Sequence, residues 1–347
     1  MNQMVRFGVG IRGAGQVAYE HFKAIAGNPH LHLAAVCSRS EQSAIRLADH
    51  AAALGAPRPR VYRDYPQLLA DSAVDIVSIC MPNYLHAGEA IQAFKAGKHL
   101  ILEKPVAIDR EELDRLRQAA RQAKTRSVVS FVCRWNPMIR NLRRLLDHGA
   151  IGDIYYAGVD YWHGIKKSFS SYEWIRRKEF AGGAMITGGC HAADIARYLK
   201  GEVAEVLAYG TRQREDFDYP TTLVASLRFA DGSVGRLSAS LDGISFPYQF
   251  NVDLLGSQGA IRDNRVYSKK LFPEQTDFVV IPSPTLSSGA VSHHPFQQEI
   301  DNLVDNLLGD TPVLSDVLDA CRSQEVAIAI EESAATGRAV AIPASRE

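Results

Sequence analysis

No excess of charge of either sign marks this chain. Its 39 Lys and Arg balance 39 Asp and Glu, so nothing pulls the whole molecule toward a polyanion, and neither nucleic acid nor a membrane surface is expected as a partner. No uninterrupted apolar run approaches the roughly 20 residues of a membrane span. The N-terminal run is broken by Arg6 and Arg12 and is too short for a signal-peptide core. Cysteine is sparse: Cys37, Cys80, Cys133, Cys190 and Cys321 stand singly, with no C-x-x-C pair. An odd, unspaced set argues against disulfides and thiolate metal sites and for reduced thiols in the cytoplasm. His293 and His294 are adjacent, yet no Cys or carboxylate lies at ligand spacing, so no metal is expected. No Ser-His-Asp order and no paired-carboxylate motif competes for the chemistry.

The chain does have enough apolar residues, 46% of 347, for a sizeable core, and its length suggests two domains. Up to residue 133, short runs rich in Val, Ile and Leu alternate with stretches of helical spacing. Val5–Gly10, His32–Cys37, Ile76–Met81, His99–Leu102 and Ser127–Val132 read as buried parallel strands. Gln16–Ala26, Glu41–Leu54, His86–Ala96 and Arg110–Lys124 read as the helices between them. This alternation predicts an α/β, doubly wound parallel sheet, a Rossmann domain over residues 1–133. Residues 134–347 change character. Helices are expected at Pro137–Asp147, His191–Leu199, Pro295–Leu308 and Asp316–Thr336, with strands at Ile154–Trp162, Val203–Gly210, Thr222–Phe229, Ser233–Ser240, Gln249–Leu255 and Phe278–Ile281. Asp231-Gly232 between two alternating runs is a hairpin signal. The second half is therefore expected to be an α+β domain with a large, open, mostly antiparallel sheet, its C-terminal helix packing back on the first domain.

Gly13-Ala14-Gly15-Gln16-Val17-Ala18 follows the first strand and opens the first helix. Gly13 permits the tight turn, Gly15 lets backbone approach a pyrophosphate, and Ala18 lets helix and strand pack closely; the amides at Gln16 and Val17 begin the helix end that favours negative charge. The second strand ends in Cys37-Ser38-Arg39-Ser40, with no carboxylate before Glu41. A hydroxyl and a guanidinium at Ser38 and Arg39 suit a ribose 2′-phosphate, which favours NADP over NAD. The other reading is that Arg39 stacks on the adenine and accepts either cofactor. Lys104 sits in Glu103-Lys104-Pro105 at a strand's end, where ligands of such a sheet lie. A partly desolvated lysine there suits acid–base work on a hydroxyl. A second informative stretch, Gly182–Asp194, is rich in small residues and carries Thr187 and His191 four apart, the latter a residue type suited to proton transfer.

Taken in order, Gly13–Ala18, Pro82-Asn83-Tyr84-Leu85-His86, Glu103-Lys104-Pro105 and Gly183…His191…Asp194 resemble the glucose–fructose oxidoreductase/inositol dehydrogenase/MocA family over essentially the whole chain. The resemblance implies reversible oxidation of a sugar or cyclitol hydroxyl by NAD(P), and a homodimer or homotetramer formed through the C-terminal sheet. It implies that Lys104 positions the reacting hydroxyl, that Pro105 follows a cis bond and that His191 is the acid–base residue. Pro82, Asn83, His86 and Glu103 join the cofactor set, Asn83 and His86 beside the nicotinamide ribose. Arg134 and Trp135 line the junction between domains, Arg134 being counted with the cofactor. The chain departs from the pattern at Thr187, where many members carry Asp. That shifts proton transfer toward Lys104 and makes Thr187 a candidate hydrogen-bonding group for a substrate hydroxyl. Tyr161, Trp162, His163, Trp174 and His293 supply aromatic faces and polar edges suited to a sugar ring. Two other functions share these motifs: a glycosidase that uses NAD without net reduction, and a non-catalytic dinucleotide-binding regulator.

Overall fold

A computed structural model describes residues 5–243 and 245–344. Along the chain the elements are β1 (Phe7–Arg12), α1 (Gln16–Gly27), β2 (Leu31–Cys37), α2 (Glu41–Ala53), β3 (Arg60–Tyr62), α3 (Tyr65–Ala70), β4 (Ile76–Ile79), α4 (His86–Lys95), β5 (His99–Leu102), α5 (Arg110–Gln122) and β6 (Ser127–Val129). There follow α6 (Pro137–Asp147), β7 (Ile154–Trp162), the short α7 (Tyr172–Ile175) and α8 (Lys178–Ala181), α9 (Cys190–Lys200), β8 (Val203–Thr211), β9 (Thr222–Phe229), β10 (Val234–Ser240) and β11 (Gln249–Gly256). The last are β12 (Gly259–Arg262), β13 (Arg265–Ser268), β14 (Val279–Val280), α10 (Phe296–Gly309), α11 (Val317–Thr336) and β15 (Val340–Ala341). Contacts gather the chain into two compact units. The first runs to Val132 and takes in Val291–Cys321; the second comprises Cys133–Ala290 and continues from Arg322. The sequence reading put everything after residue 133 in one domain. Residues 291–321 instead belong with the first unit, where α10 packs on α1.

In the first unit six parallel strands lie in the order β3-β2-β1-β4-β5-β6. The order reverses between β1 and β4, and the carboxyl ends of those strands form the crevice where such sheets bind ligands. Both faces of the sheet are covered, so β1 and β4 read as continuous apolar runs with Val9, Ile11, Ile76, Val77 and Ile79 buried. Helix α1 buries Ala18, Phe22 and Ile25 at helical spacing. The sequence reading missed β3 and α3. Three residues of strand and six of helix are too short to show a period above background.

The second unit is built on nine strands in the order β14-β13-β12-β11-β7-β10-β9-β8-β15. Period-two burial is clean in β9, where Leu223, Ala225, Leu227 and Phe229 face inward while Val224, Ser226 and Arg228 face out. Asp231-Gly232 makes the hairpin between β9 and β10, with Gly232 at φ +86°. The pairing of β10 with β7 is parallel, which a string of hairpins would not give. It lets α9 cross between them and cover the inner face.

Beneath the first unit's crevice lies a buried polar group. Glu299 of α10 accepts a hydrogen bond from Ser130 Oγ at 2.7 Å, while its Oε2 is buried with no partner. Burial pushes its carboxyl up to about 8; His21 and Ser130 pull it down, and Glu103 pushes the same way as burial. From the ordinary carboxylate range up to that value, the folded chain holds a proton the unfolded chain has released. Stability therefore falls as pH rises through this window. Glu299→Gln removes the effect, so its urea midpoint relative to wild type is expected to climb between about pH 5 and about pH 8. A constant difference across that range would contradict the raised value.

Candidate active site: a dinucleotide seat and an imidazole on an aromatic wall

The first unit supplies the dinucleotide seat. Gly13 follows β1 with φ +98°, and a Cβ there would overlap the carbonyl oxygen of Cys80, the residue after β4. Its own amide donates to Cys37 O at 2.8 Å, so the turn is stitched to the ends of three strands. Around Gly15, by contrast, a Cβ would meet nothing within 4 Å, and no side chain caps α1. The amides at the start of α1, Gln16 and Val17 among them, are therefore not met by a capping side chain, and the space over Gly15 is open. This arrangement fits a pyrophosphate.

At the end of β2, Ser38 is buried and Arg39 exposed. Ser40 caps α2, accepting from the Ser43 amide at 3.3 Å. Glu41, the first carboxylate after the strand, is bound by Arg63, which lowers its pKa. The hydroxyl of Ser40 and the carboxylate of Glu41 are thus engaged with the protein.

The segment after β4 carries Pro82, then a 3-10 turn over Asn83–Leu85, then α4. Asn83 is buried, and so is His86, whose Nδ1 lies 2.6 Å from Pro105 O and Nε2 2.6 Å from Met81 O. Burial lowers the His86 pKa, against two carbonyls that favour a second ring proton. Both nitrogens are taken by main chain. His86 therefore braces the Lys104-Pro105 segment. The Lys104-Pro105 bond is cis.

Glu103 likewise faces the protein. Its Oε1 lies 3.2 Å from His21 Nε2, and His21 Nδ1 lies 2.8 Å from Ser78 Oγ. Burial would raise the Glu103 carboxyl, but the contact and charge of His21, with Lys104 and His86 nearby, lower it. Burial works against a charged His21 too. Cys80 and Glu103 outweigh it and hold the imidazole well above its ordinary range. His294 is pushed down to about 4 by burial and by the charge of Lys104, so its imidazole is neutral beside that amine. His293 next to it is exposed. Among the described residues no His, Cys, Asp or Glu group has the grouping of a metal site.

The second unit supplies His191. The chain enters α9 through a π-helical turn, Met185–Gly189. Small residues let this turn lie on the sheet: at Gly188 a Cβ would meet Tyr161 Cε1 at contact distance far below van der Waals. His191 is buried and stacks on Tyr161, with ring centroids 5.8 Å apart and 27° between planes. Its Nδ1 lies 3.9 Å from Cys133 Sγ. Tyr161 in turn meets His163, Tyr248 and Phe250 edge-on, and His163 stacks on Phe169. Burial raises the phenols of Tyr161 and Tyr248, so both stay neutral hydroxyls. Thr187 Oγ1 donates to Ala181 O at 2.8 Å, so its proton is committed to the main chain.

Two expected residues lie elsewhere. Trp162 points to the opposite face of β7 from Tyr161 and His163, its Nε1 donating to Ser238 Oγ at 2.7 Å. Strand alternation separates it from the wall. Trp174 lies half-buried on α7. Arg134 is buried and bidentate to Asp194, at 2.8 Å and 2.6 Å, with its guanidinium over Tyr198. Ser323 Oγ adds a third bond to Asp194 at 2.7 Å. Trp135 is buried beside it in sequence. Arg134 is thus engaged with Asp194 and Tyr198 inside the second unit. Sequence reasoning missed Tyr248 and Phe169. The aromatic cluster Phe246-Pro247-Tyr248-Gln249-Phe250 was the available signal, read only as the start of a strand.

Residues 7–131 match the model of the oxidoreductase family with an NAD-binding Rossmann fold. Residues 139–262 match the GFO/IDH/MocA C-terminal domain. The chain belongs to the GFO/IDH/MocA oxidoreductase family. It is 25% identical to the uncharacterised oxidoreductase YrbE of Bacillus subtilis over 96% of each chain. It is 27% identical to the scyllo-inositol 2-dehydrogenase (NAD(+)) of the same organism over 81% of each. Levoglucosan dehydrogenase, solved with NADH and L-sorbose, shares the fold at a TM-score of 0.86 and 24% identity, covering 98% of this chain and 100% of that one.

Within this GFO/IDH/MocA protein, Asp194 is the anchor whose loss is easiest to read. Removing one partner of a buried ion pair leaves an uncompensated charge and costs about 3–5 kcal/mol. Asp194→Ala is expected to lower the free energy of unfolding in urea by that amount, as a lower midpoint at unchanged slope. A loss below about 1 kcal/mol, the range of an exposed pair, would contradict the buried pairing.

Proposed function

We propose that the protein is an NAD(P)-dependent oxidoreductase that moves a hydride between the nicotinamide and a secondary hydroxyl or keto carbon of a sugar, sugar derivative or cyclitol. The observation that carries the reading is Lys104, held at the carboxyl end of β5 by the braces on Glu103 and Pro105, in the unit whose glycine turn fits a dinucleotide. When bound, the nicotinamide accepts or returns the hydride. The chain's own groups handle the proton and the ring. The amine of Lys104 hydrogen-bonds the reacting oxygen and takes the hydroxyl proton as the C–H bond breaks, or returns it in the reverse direction. His191 exchanges that proton onward. Tyr161, His163 and Tyr248 offer an apolar wall with polar edges to the sugar. The named inositol and levoglucosan dehydrogenases among the relatives support this substrate class.

Turnover is expected to collapse in Lys104→Ala by about 10²–10⁴-fold, the usual worth of a positioned acid–base group, while NADH binding by fluorescence titration stays within a few-fold. Near-normal turnover on a panel of sugars and cyclitols would end the reading.

NADP is the favoured cofactor. The guanidinium of Arg39 and the hydroxyl of Ser38 suit a 2′-phosphate, and Glu41, the first carboxylate after β2 in sequence, is occupied by Arg63. Arg39→Ala is expected to weaken NADPH binding about ten-fold or more, since a hydrogen bond to a charged group is worth about 1.5–3 kcal/mol, and to spare NADH. Equal losses for both would assign Arg39 to the adenine instead. The outer face of the nine-stranded sheet exposes Tyr209, Val224, Val234 and Leu255 around an Arg236–Asp160 pair, a mixed apolar and charged surface suited to pairing two copies into a homodimer or homotetramer. None of the five cysteines is in a disulfide, which suits the cytoplasm.

A further inference from the structure

The π-helical turn ahead of His191 is held at its entry by a residue that no motif points to. Glu331, on α11 and 146 residues along the chain, accepts the Met185 amide at Oε1, 2.8 Å away. Met185 opens the turn, and no local side chain caps it. The contact is broader than one bond. At Gly183, with φ +138°, a Cβ would overlap Glu331 Cδ and both carboxyl oxygens. The carboxyl group therefore lies flat against the backbone of residues 183–185, and only a residue without a side chain at 183 admits it. Glu331 is buried, and its nearest charged or titratable neighbours are Lys178 and Tyr219.

A π turn holds one residue more than an α turn would over the same rise, and such turns are kept where a side chain must be re-aimed. The angular offset between Thr187 and His191 depends on that extra residue staying in place. At the far end the offset is fixed by Gly188 against Tyr161 and by the stacking of His191 on the same ring. At the near end Glu331 supplies the missing cap for the turn's first amide.

We propose that Glu331 is a positioning residue: it fixes the register of the Met185–Gly189 turn and thereby the pose of the His191 imidazole. The effect on turnover rests on the acid–base role given to His191 above. What Glu331 must supply is an acceptor oxygen of the right reach rather than a charge. Burial pushes its carboxyl up to about 7, against the pull of Lys178, so near neutrality both protonation states are populated and either one accepts from the amide.

The test compares Glu331→Ala, Glu331→Asp and Glu331→Gln by carbon–proton NMR of histidine side chains in the apo protein, with the His191 signal assigned by its loss in His191→Ala. Shortening or removing the side chain is expected to shift the His191 signal while the other imidazoles stay in place. Turnover of the sugar or cyclitol in use should fall about 10–100-fold, an acid–base contribution partly lost, with the NADH dissociation constant unchanged. Gln keeps the acceptor and should return the His191 signal to its wild-type position and turnover to within about three-fold of wild type. Should Ala fail to fold, Asp carries the comparison. An unmoved His191 signal in Ala or Asp, or a Gln variant as impaired as Ala, would overturn the proposal. A shifted signal with wild-type turnover would support the positioning and bring down the acid–base role of His191.

Discussion

One buried contact joins the two things the first unit must place. His21 on α1 touches Glu103 at the end of β5, and the same helix begins at the glycine turn while the next residue along the strand end is Lys104. The glycine turn and the segment that carries Lys104 are thus coupled through an imidazole–carboxylate pair in the protein interior. Neither ion is favoured by burial alone. Each shifts the other toward its charged form, and that mutual dependence makes the pair expensive to break and well suited to fixing register. His86 repeats the device on the other side of Lys104, bridging Met81 and Pro105 through two carbonyls. The residues on both sides of the lysine are thus anchored to the protein.

In the second unit the controlling constraint is the two-faced strand β7. Tyr161 and His163 share the inner face with His191, while Asp160 and Trp162 belong to the outer face, where Arg236 and Ser238 meet them. One strand therefore builds a polar-edged aromatic wall and a charged outer surface at once. Buried tyrosines suit the wall because a neutral phenol can donate or accept without the cost of a buried charge.

Much of this was legible in the sequence because it rests on local rules. The glycine turn, the doubly wound alternation and the Asp231-Gly232 hairpin each depend on residues within one element and its neighbours. β3 and α3 escaped because a period cannot show in so few residues. The fates of His86, Glu103 and Arg134 escaped for a different reason. A polar residue in a motif looks the same whether it faces a ligand or a protein partner, and the partners here, Pro105, His21 and Asp194, are 19, 82 and 60 residues away. Trp162 is the instructive case. Its composition suits a sugar site as well as Tyr161 does, and alternation within the strand, together with which face is covered, sends the two rings to opposite sides.

Thr187 shows how a motif can keep its place and change its physics. An aspartate there would carry charge into the turn before His191. Threonine brings none, and its hydroxyl proton is spent on Ala181, tying the turn back to the end of α8. The imidazole's orientation then rests on shape: the flat stack on Tyr161, the sulfur of Cys133 beside Nδ1, and a backbone turn closed over Gly188. Packing fixes direction over short range and is insensitive to salt, whereas a charge would also raise the basicity of the ring. In this turn the histidine is placed by packing, with no carboxylate at position 187 to charge the segment before it.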